Sequence, residues 1–133
     1  MSSRTPLLRR PLMALVVDVV LVVVFAAIGR ASHAEANPVT GALLTAWPFL
    51  VGLLVGWTTV RVLRKGWPVE VGPGITIWFS TVVVGMLLRL ATGQGTALPF
   101  VGVAALTLAV FLIGWRALTA LALRGGAAAR ERR

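Results

Sequence analysis

Residues 12–29 read LMALVVDVVLVVVFAAIG, a run with no charged side chain except Asp18. A bilayer core of ~30 Å is crossed by about 20 apolar helical residues. Lipid offers no partner to a backbone N–H or C=O, so such a segment satisfies its own backbone as a helix. Three further apolar stretches, residues 42–60, 75–90 and 97–118, follow along the chain. Together they predict an all-α polytopic membrane protein with four transmembrane helices. Residues 12–120 form the membrane domain, between a basic N-terminal segment, 1–11, and a basic tail, 121–133.

Composition agrees. At 58% hydrophobic and 13% charged, the 133 residues carry more apolar surface than a soluble domain of that length can hide. The net charge of +9 would point to nucleic acid in a soluble chain. Here the cations sit at helix ends and in the tails, where they set orientation and meet anionic headgroups. Membrane lipid is therefore the expected partner, and no nucleic acid is. The absence of cysteine excludes disulfides, thiolate metal sites and a Cys nucleophile.

The cations also alternate. Arg4, Arg9 and Arg10 precede the first helix with no acid beside them, whereas Arg30, His33 and Glu35 nearly cancel in the first connection. Arg61, Arg64 and Lys65 outweigh Glu70 in the second connection; residues 91–96 carry no charge, though Arg89 lies just before them. The tail sets Arg124, Arg130, Arg132 and Arg133 against Glu131. Such alternation places both termini in the cytoplasm and the protein in the inner (plasma) membrane. Trp47, Trp57, Trp67 and Trp115 read as interfacial aromatics near helix ends. Pro38, Pro48, Pro68, Pro73 and Pro99 read as loop or first-turn residues, where a missing N–H matters little. A rival reading takes the twin Arg9-Arg10 and the Ser32-His33-Ala34 site as a cleaved signal. Asp18 within the run, and Arg30 and His33 crowding the cleavage site, argue for a retained helix.

Similar marks recur in the two halves. The second and fourth helices open with Pro48-Phe49 and Pro99-Phe100, carry Gly52 and Gly102, and close with Gly56-Trp57 and Gly114-Trp115-Arg116. The first and third end near Gly29-Arg30 and near Gly85 with Arg89. Two repeated helical hairpins would produce this, as parallel repeats do in transporters. Chance similarity between apolar helices would produce it too, and the spacings differ.

A lone carboxylate about six residues into a membrane helix is expensive and tends to protonate. Arg116, on a helix running the other way, reaches a similar depth and is the natural partner of Asp18. A buried Asp18–Arg116 ion pair is the bland reading, a proton or cation site the sharp one; the pair is favoured because it keeps both charges. On the outer side, Arg30, His33 and Arg89, with Trp47 nearby, form a candidate anion or headgroup site. The competing reading has both arginines reaching to the interface, their default near a helix end. One His with Glu35 as its nearest co-ligand does not make a metal site, so no metal and no cofactor are expected. Gly52-x-x-x-Gly56, and Thr81-x-x-x-Gly85 on the third helix, read as helix-packing contacts. They do not say whether the partner helix belongs to the same chain or to another copy. Gly72-Pro73-Gly74 reads as a turn that restarts a helix.

No catalytic constellation is present, neither paired carboxylates, a Ser-His-Asp set, a phosphate loop nor HExxH, and an enzyme is not expected. Over nearly the whole chain apart from its tails, the sequence resembles the DUF3054 family, small membrane proteins of bacteria and archaea with no established function. Carrying the resemblance are Asp18, Gly29-Arg30 with His33, Trp47-Pro48-Phe49 before Gly52 and Gly56-Trp57, Trp78, Gly85 with Arg89, and Gly114-Trp115-Arg116. It implies the same architecture and assigns no site. Two functions follow as expectations. One is binding or transport of a small anionic or amphipathic solute or lipid; four short helices give little wall, so this reading expects a homodimer. The other is a structural or accessory subunit of a larger membrane complex, with no solute site.

Overall fold

The computed structural model describes residues 10–31, 37–63 and 69–133. Among them there is no strand. The helices are α1 (Pro11–Ala31), α2 (Pro38–Leu63), α3 (Val71–Ala91), α4 (Leu98–Leu112) and α5 (Gly114–Glu131). Ile113 keeps right-handed helical angles (φ −85°, ψ −38°) between α4 and α5. The Ile113 N–H bonds the Ala109 carbonyl at 3.0 Å and the Ala117 N–H bonds the Ile113 carbonyl at 2.9 Å, so the helical ladder runs through the joint. Helices α4 and α5 thus make one rod, Leu98–Glu131, of 34 residues. With it, four helical spans are long and apolar enough to cross a membrane. The chain is an all-α polytopic protein.

Three elements depart from the expected limits, each for a local reason. Helix α2 begins at Pro38, because the Asn37 side chain accepts the Thr40 N–H at 3.3 Å and proline suits the first helical position. Pro48 consequently lies inside α2, and not at its first turn. Helix α3 begins at Val71, which makes Gly72-Pro73-Gly74 its first turn. The last rod continues through most of the basic tail; at 1.5 Å per residue it is ~51 Å long, well beyond a ~30 Å core.

Helix α1 packs on α2, α2 on α3, α3 on α4 and α4 back on α1, which closes a four-helix ring. One end, here the near end, holds the starts of α1 and α3 and the ends of α2 and α5. The far end holds the α3–α4 turn. Val22, Phe49, Leu53, Ile77, Leu108 and Leu112 fill the interior and are fully buried. Leu12, Leu43, Leu54, Leu87, Leu98 and Leu106 point outward instead. A single-chain apolar exterior of this kind is a liability in water and a fit for lipid.

The tightest seam joins α2 to α3. A Cβ on Gly52 would lie 2.8 Å from the Thr81 carbonyl oxygen, and one on Gly56 2.9 Å from the Ile77 Cα. The Ser80 hydroxyl donates to the Gly52 carbonyl across the same contact at 3.0 Å. The Gly52-x-x-x-Gly56 face is therefore occupied within the chain. Gly85 makes room for the Phe49 ring, whose Cδ1 would meet an added Cβ at 2.5 Å. Gly102, its counterpart to Gly52 in the sequence pattern, has nothing within 4 Å. Pro99 occupies the first turn of α4, whereas Pro48 is mid-helix, so the Pro-Phe pairs hold different positions in their helices.

Candidate functional site

Two polar clusters occupy the bundle, one toward each end. The near-end cluster centres on Asp18, fully buried in α1. Its Oδ1 accepts from Arg116 Nη1 and Trp115 Nε1, both at 2.8 Å. Its Oδ2 accepts from Arg116 Nη2 at 2.6 Å and from Trp57 Nε1 at 2.8 Å. Arg116 is itself buried, donates also to the Leu112 carbonyl at 2.7 Å, and lies with its Cζ 4.6 Å from the Trp115 ring centroid. A bidentate guanidinium plus two indole N–H groups fill the four acceptor positions a carboxylate offers. No acceptor position is left over to bind a cation. The arrangement fastens α1 to α5 and α2 around one carboxylate.

Trp57 and Trp115 thus point inward, not to the interface expected from their positions near helix ends. The two neutral indole donors complete the hydrogen bonding of the Asp18 carboxylate beside a single arginine. Gly74 is the second unexpected member. Arg116 crosses it so closely that a Cβ there would sit 2.6 Å from Arg116 Cδ. A Gly beside a Pro at a helix start reads as turn punctuation, and nothing in the sequence separates that use from room for a guanidinium's stem.

The far-end cluster forms a pocket of about 420 Å³. Arg30 and Arg89 both line it, with Phe25, Thr45, Pro99 and Phe100 among the other walls. Arg30 ends α1 and Arg89 ends α3, so the fold brings the last turns of two parallel-running helices together. Arg89 also braces the α3–α4 turn: its Nε donates to the Gly95 carbonyl at 3.2 Å, Nη1 to Gln94 Oε1 at 3.2 Å and Nη2 to the Gln94 carbonyl at 3.0 Å. The turn can fold back on the guanidinium because Gly93 and Gly95 take positive φ, 70° and 87°. The Arg89 Cζ then stands 4.4 Å from the Phe100 ring centroid, within cation–π range. Phe100 meets Phe49, and Phe49 meets Phe25 edge to face, so one aromatic chain links two walls of the pocket. Chemically this is a site with cations at its rim and aromatic, apolar walls below.

Of the other residues expected at this site, Trp47 is half-buried on α2 and is not among those lining the pocket. Helix α2 starts earlier than its apolar run, which places Trp47 well inside the helix. His33 and Glu35 lie outside the described residues, as do Arg64, Lys65 and Trp67. Thr45, which does line the pocket, was not a sequence candidate, because one hydroxyl in an apolar helix carries no signal of what it faces.

No curated protein and no solved structure matches the chain. A family model does: DUF3054, described as a protein of unknown function, matches residues 15–119. That stretch contains Asp18, Trp57 and Arg116 of the near-end cluster and Arg30, Arg89 and Thr45 of the far-end pocket. With most of its length matched, and every described cluster residue inside the matched part, the chain belongs to the DUF3054 family.

Proposed function

We propose that the protein binds the anionic group of an amphipathic molecule at the far-end pocket, as a multi-pass protein of the plasma membrane with both termini cytoplasmic. The observation that carries this reading is the convergence of Arg30 and Arg89 on one aromatic-walled pocket. Guanidinium groups match phosphate and carboxylate geometry, and Phe25 and Phe100 offer a surface for an apolar body. Binding is favoured over passage through the bundle, whose middle is filled by Phe49, Leu53, Ile77 and Leu108. Transport would call for a second copy to enlarge the wall.

One observation favours a second reading. The three bonds from Arg89 to Gln94 and Gly95 hold a turn, as a purely structural arginine would. In that reading the protein is an accessory subunit of a larger membrane complex.

Native mass spectrometry from nanodiscs separates the two. Phosphatidylglycerol should remain bound to the released protein in preference to phosphatidylcholine. Arg30→Gln should weaken the retained lipid about tenfold, the scale of one charge-assisted hydrogen bond. Equal retention of the two lipids by wild type and variant, with a stoichiometric second polypeptide in the native membrane extract, would establish the accessory reading instead.

A further inference from the structure

Of the four sides of the helical ring, the one between α1 and α4 is the most sparsely packed. Two recesses lie along that seam. One is the far-end pocket, to which α1 contributes Phe25 and Gly29 and α4 contributes Phe100 and Val103. The other is a groove of about 500 Å³ beside the near-end cluster, between Leu21 of α1 and Val110, Phe111, Gly114, Trp115 and Leu118 of the rod. The groove is apolar: its one polar side-chain atom, Trp115 Nε1, is given to Asp18. A glycine marks each recess. Gly52, Gly56, Gly74 and Gly85 are closely covered by other parts of the chain, whereas an added Cβ on Gly29 or Gly114 would meet nothing within 4 Å among the described residues.

The Asp18–Arg116 contact fixes the register of α1 against the rod. Leu21 and Gly114 lie three and two residues from that pair, so they are level with each other. From Gly114 to Val103 the rod rises eleven residues, ~16 Å, and from Leu21 to Gly29 α1 rises eight, ~12 Å. The acyl chains of one leaflet fill half of a ~30 Å core, about 15 Å. A chain whose headgroup sits at Arg30 and Arg89 therefore ends beside Gly114. Lipid tails are as apolar as the groove, so no hydrophobic gain draws a chain into it. A bound headgroup does what apolarity cannot, by confining its own tail beside the seam at high local concentration.

Resting on the reading of the far-end pocket as an anion site, we infer that its ligand is an acidic phospholipid of the surrounding leaflet, one acyl chain of which lies along the α1–α4 seam and ends in the groove at Gly114. The two recesses are then the two ends of one lipid site, and the open glycines are the places where the chain, and not the protein, fills the space.

The test uses phosphatidylglycerol carrying a diazirine at the end of one acyl chain, in nanodiscs holding the full-length protein, with labelled residues mapped by peptide mass spectrometry. Label should gather on Leu21 and on residues 110–118 and largely miss the outward Leu43, Leu54 and Leu87. A phosphatidylcholine probe should not share this pattern. Arg30→Gln should lower the seam label about tenfold, in step with the weakened headgroup contact. Gly114→Leu fills the groove where an added Cβ meets nothing, so it should fold, keep phosphatidylglycerol bound and send the label elsewhere. Label spread evenly over the outward leucines, or a seam label that Gly114→Leu leaves unchanged, overturns the chain site; if Arg30→Gln still weakens retention, the anion site stands. Equal seam labelling by the two probes overturns it as well. A seam free of label in a protein that is dimeric by native mass gives the seam to a second copy and overturns it too. If neither label nor retention responds to Arg30→Gln, both this inference and the anion-site reading fail.

Discussion

Asp18→Asn keeps the shape of the near-end side chain and removes its charge, leaving Arg116 buried without a counter-ion. Breaking one partner of a buried pair destabilises by about 3 kcal/mol, chiefly through the orphaned charge. Arg116→Gln should behave likewise, orphaning Asp18. The double variant Asp18→Asn/Arg116→Gln replaces the ion pair with two amides that can still bond each other and the indoles. It should lose at least ~1 kcal/mol less than the sum of the two single losses. Reversible unfolding in mixed micelles measures all three. Strict additivity would mean the charges act independently, against the 2.6 Å contact. The pair itself was legible in the sequence, since a cation at similar depth is the natural partner of one acid in an apolar helix, and Arg116 reaches that depth. Trp57 and Trp115 were not legible as its donors. A helix apolar all round gives no sign of which way it faces, so an inward indole and an interfacial one look alike.

At the scale of the helices, glycine has two different uses that share one appearance. On Gly52 an added Cβ meets the backbone of Ser80 and Thr81 within 2.9 Å, and backbone cannot yield cheaply. Gly52→Ala should therefore push α2 from α3 and destabilise the fold by about 2 kcal/mol, the range of overpacked contacts. Gly102→Ala meets nothing and should be neutral or mildly stabilising, because alanine favours a helix. Thermal melting in one detergent compares the two directly. Equal losses would mean that the α2–α3 seam is not the close contact described. Helix number and type were legible because each apolar run is long enough to admit nothing else in lipid. The limits were not: α2 starts at a cap made by Asn37 and Pro38, polar residues that an apolar pattern does not count. For the same reason Pro48 was placed at a helix start, and the two Pro-Phe pairs looked more alike than their positions make them.

For the whole molecule the question is which end faces the cytoplasm, because that decides which leaflet supplies a ligand to Arg30 and Arg89. Arg10, Arg61, Arg124, Arg130, Arg132 and Arg133 belong to the near end, against Glu70 and Glu131. The far end, among described residues, carries Arg30 and Arg89, and Arg89 is tied to its own turn. Excess Lys and Arg stay on the cytoplasmic side during insertion. In the proposed orientation the α4–α5 rod, ~51 Å long against a ~30 Å core, would project its basic last turns from the cytoplasmic face, beside anionic headgroups. A green fluorescent protein fused after Arg133 should fluoresce. Alkaline phosphatase fused at the same point should be inactive, and phosphatase inserted at the Gly93–Gly95 turn should be active. Active phosphatase after Arg133 would invert the molecule. The far-end pocket would then draw on the cytoplasmic leaflet, and the cationic rod would stand outside, contrary to its charge.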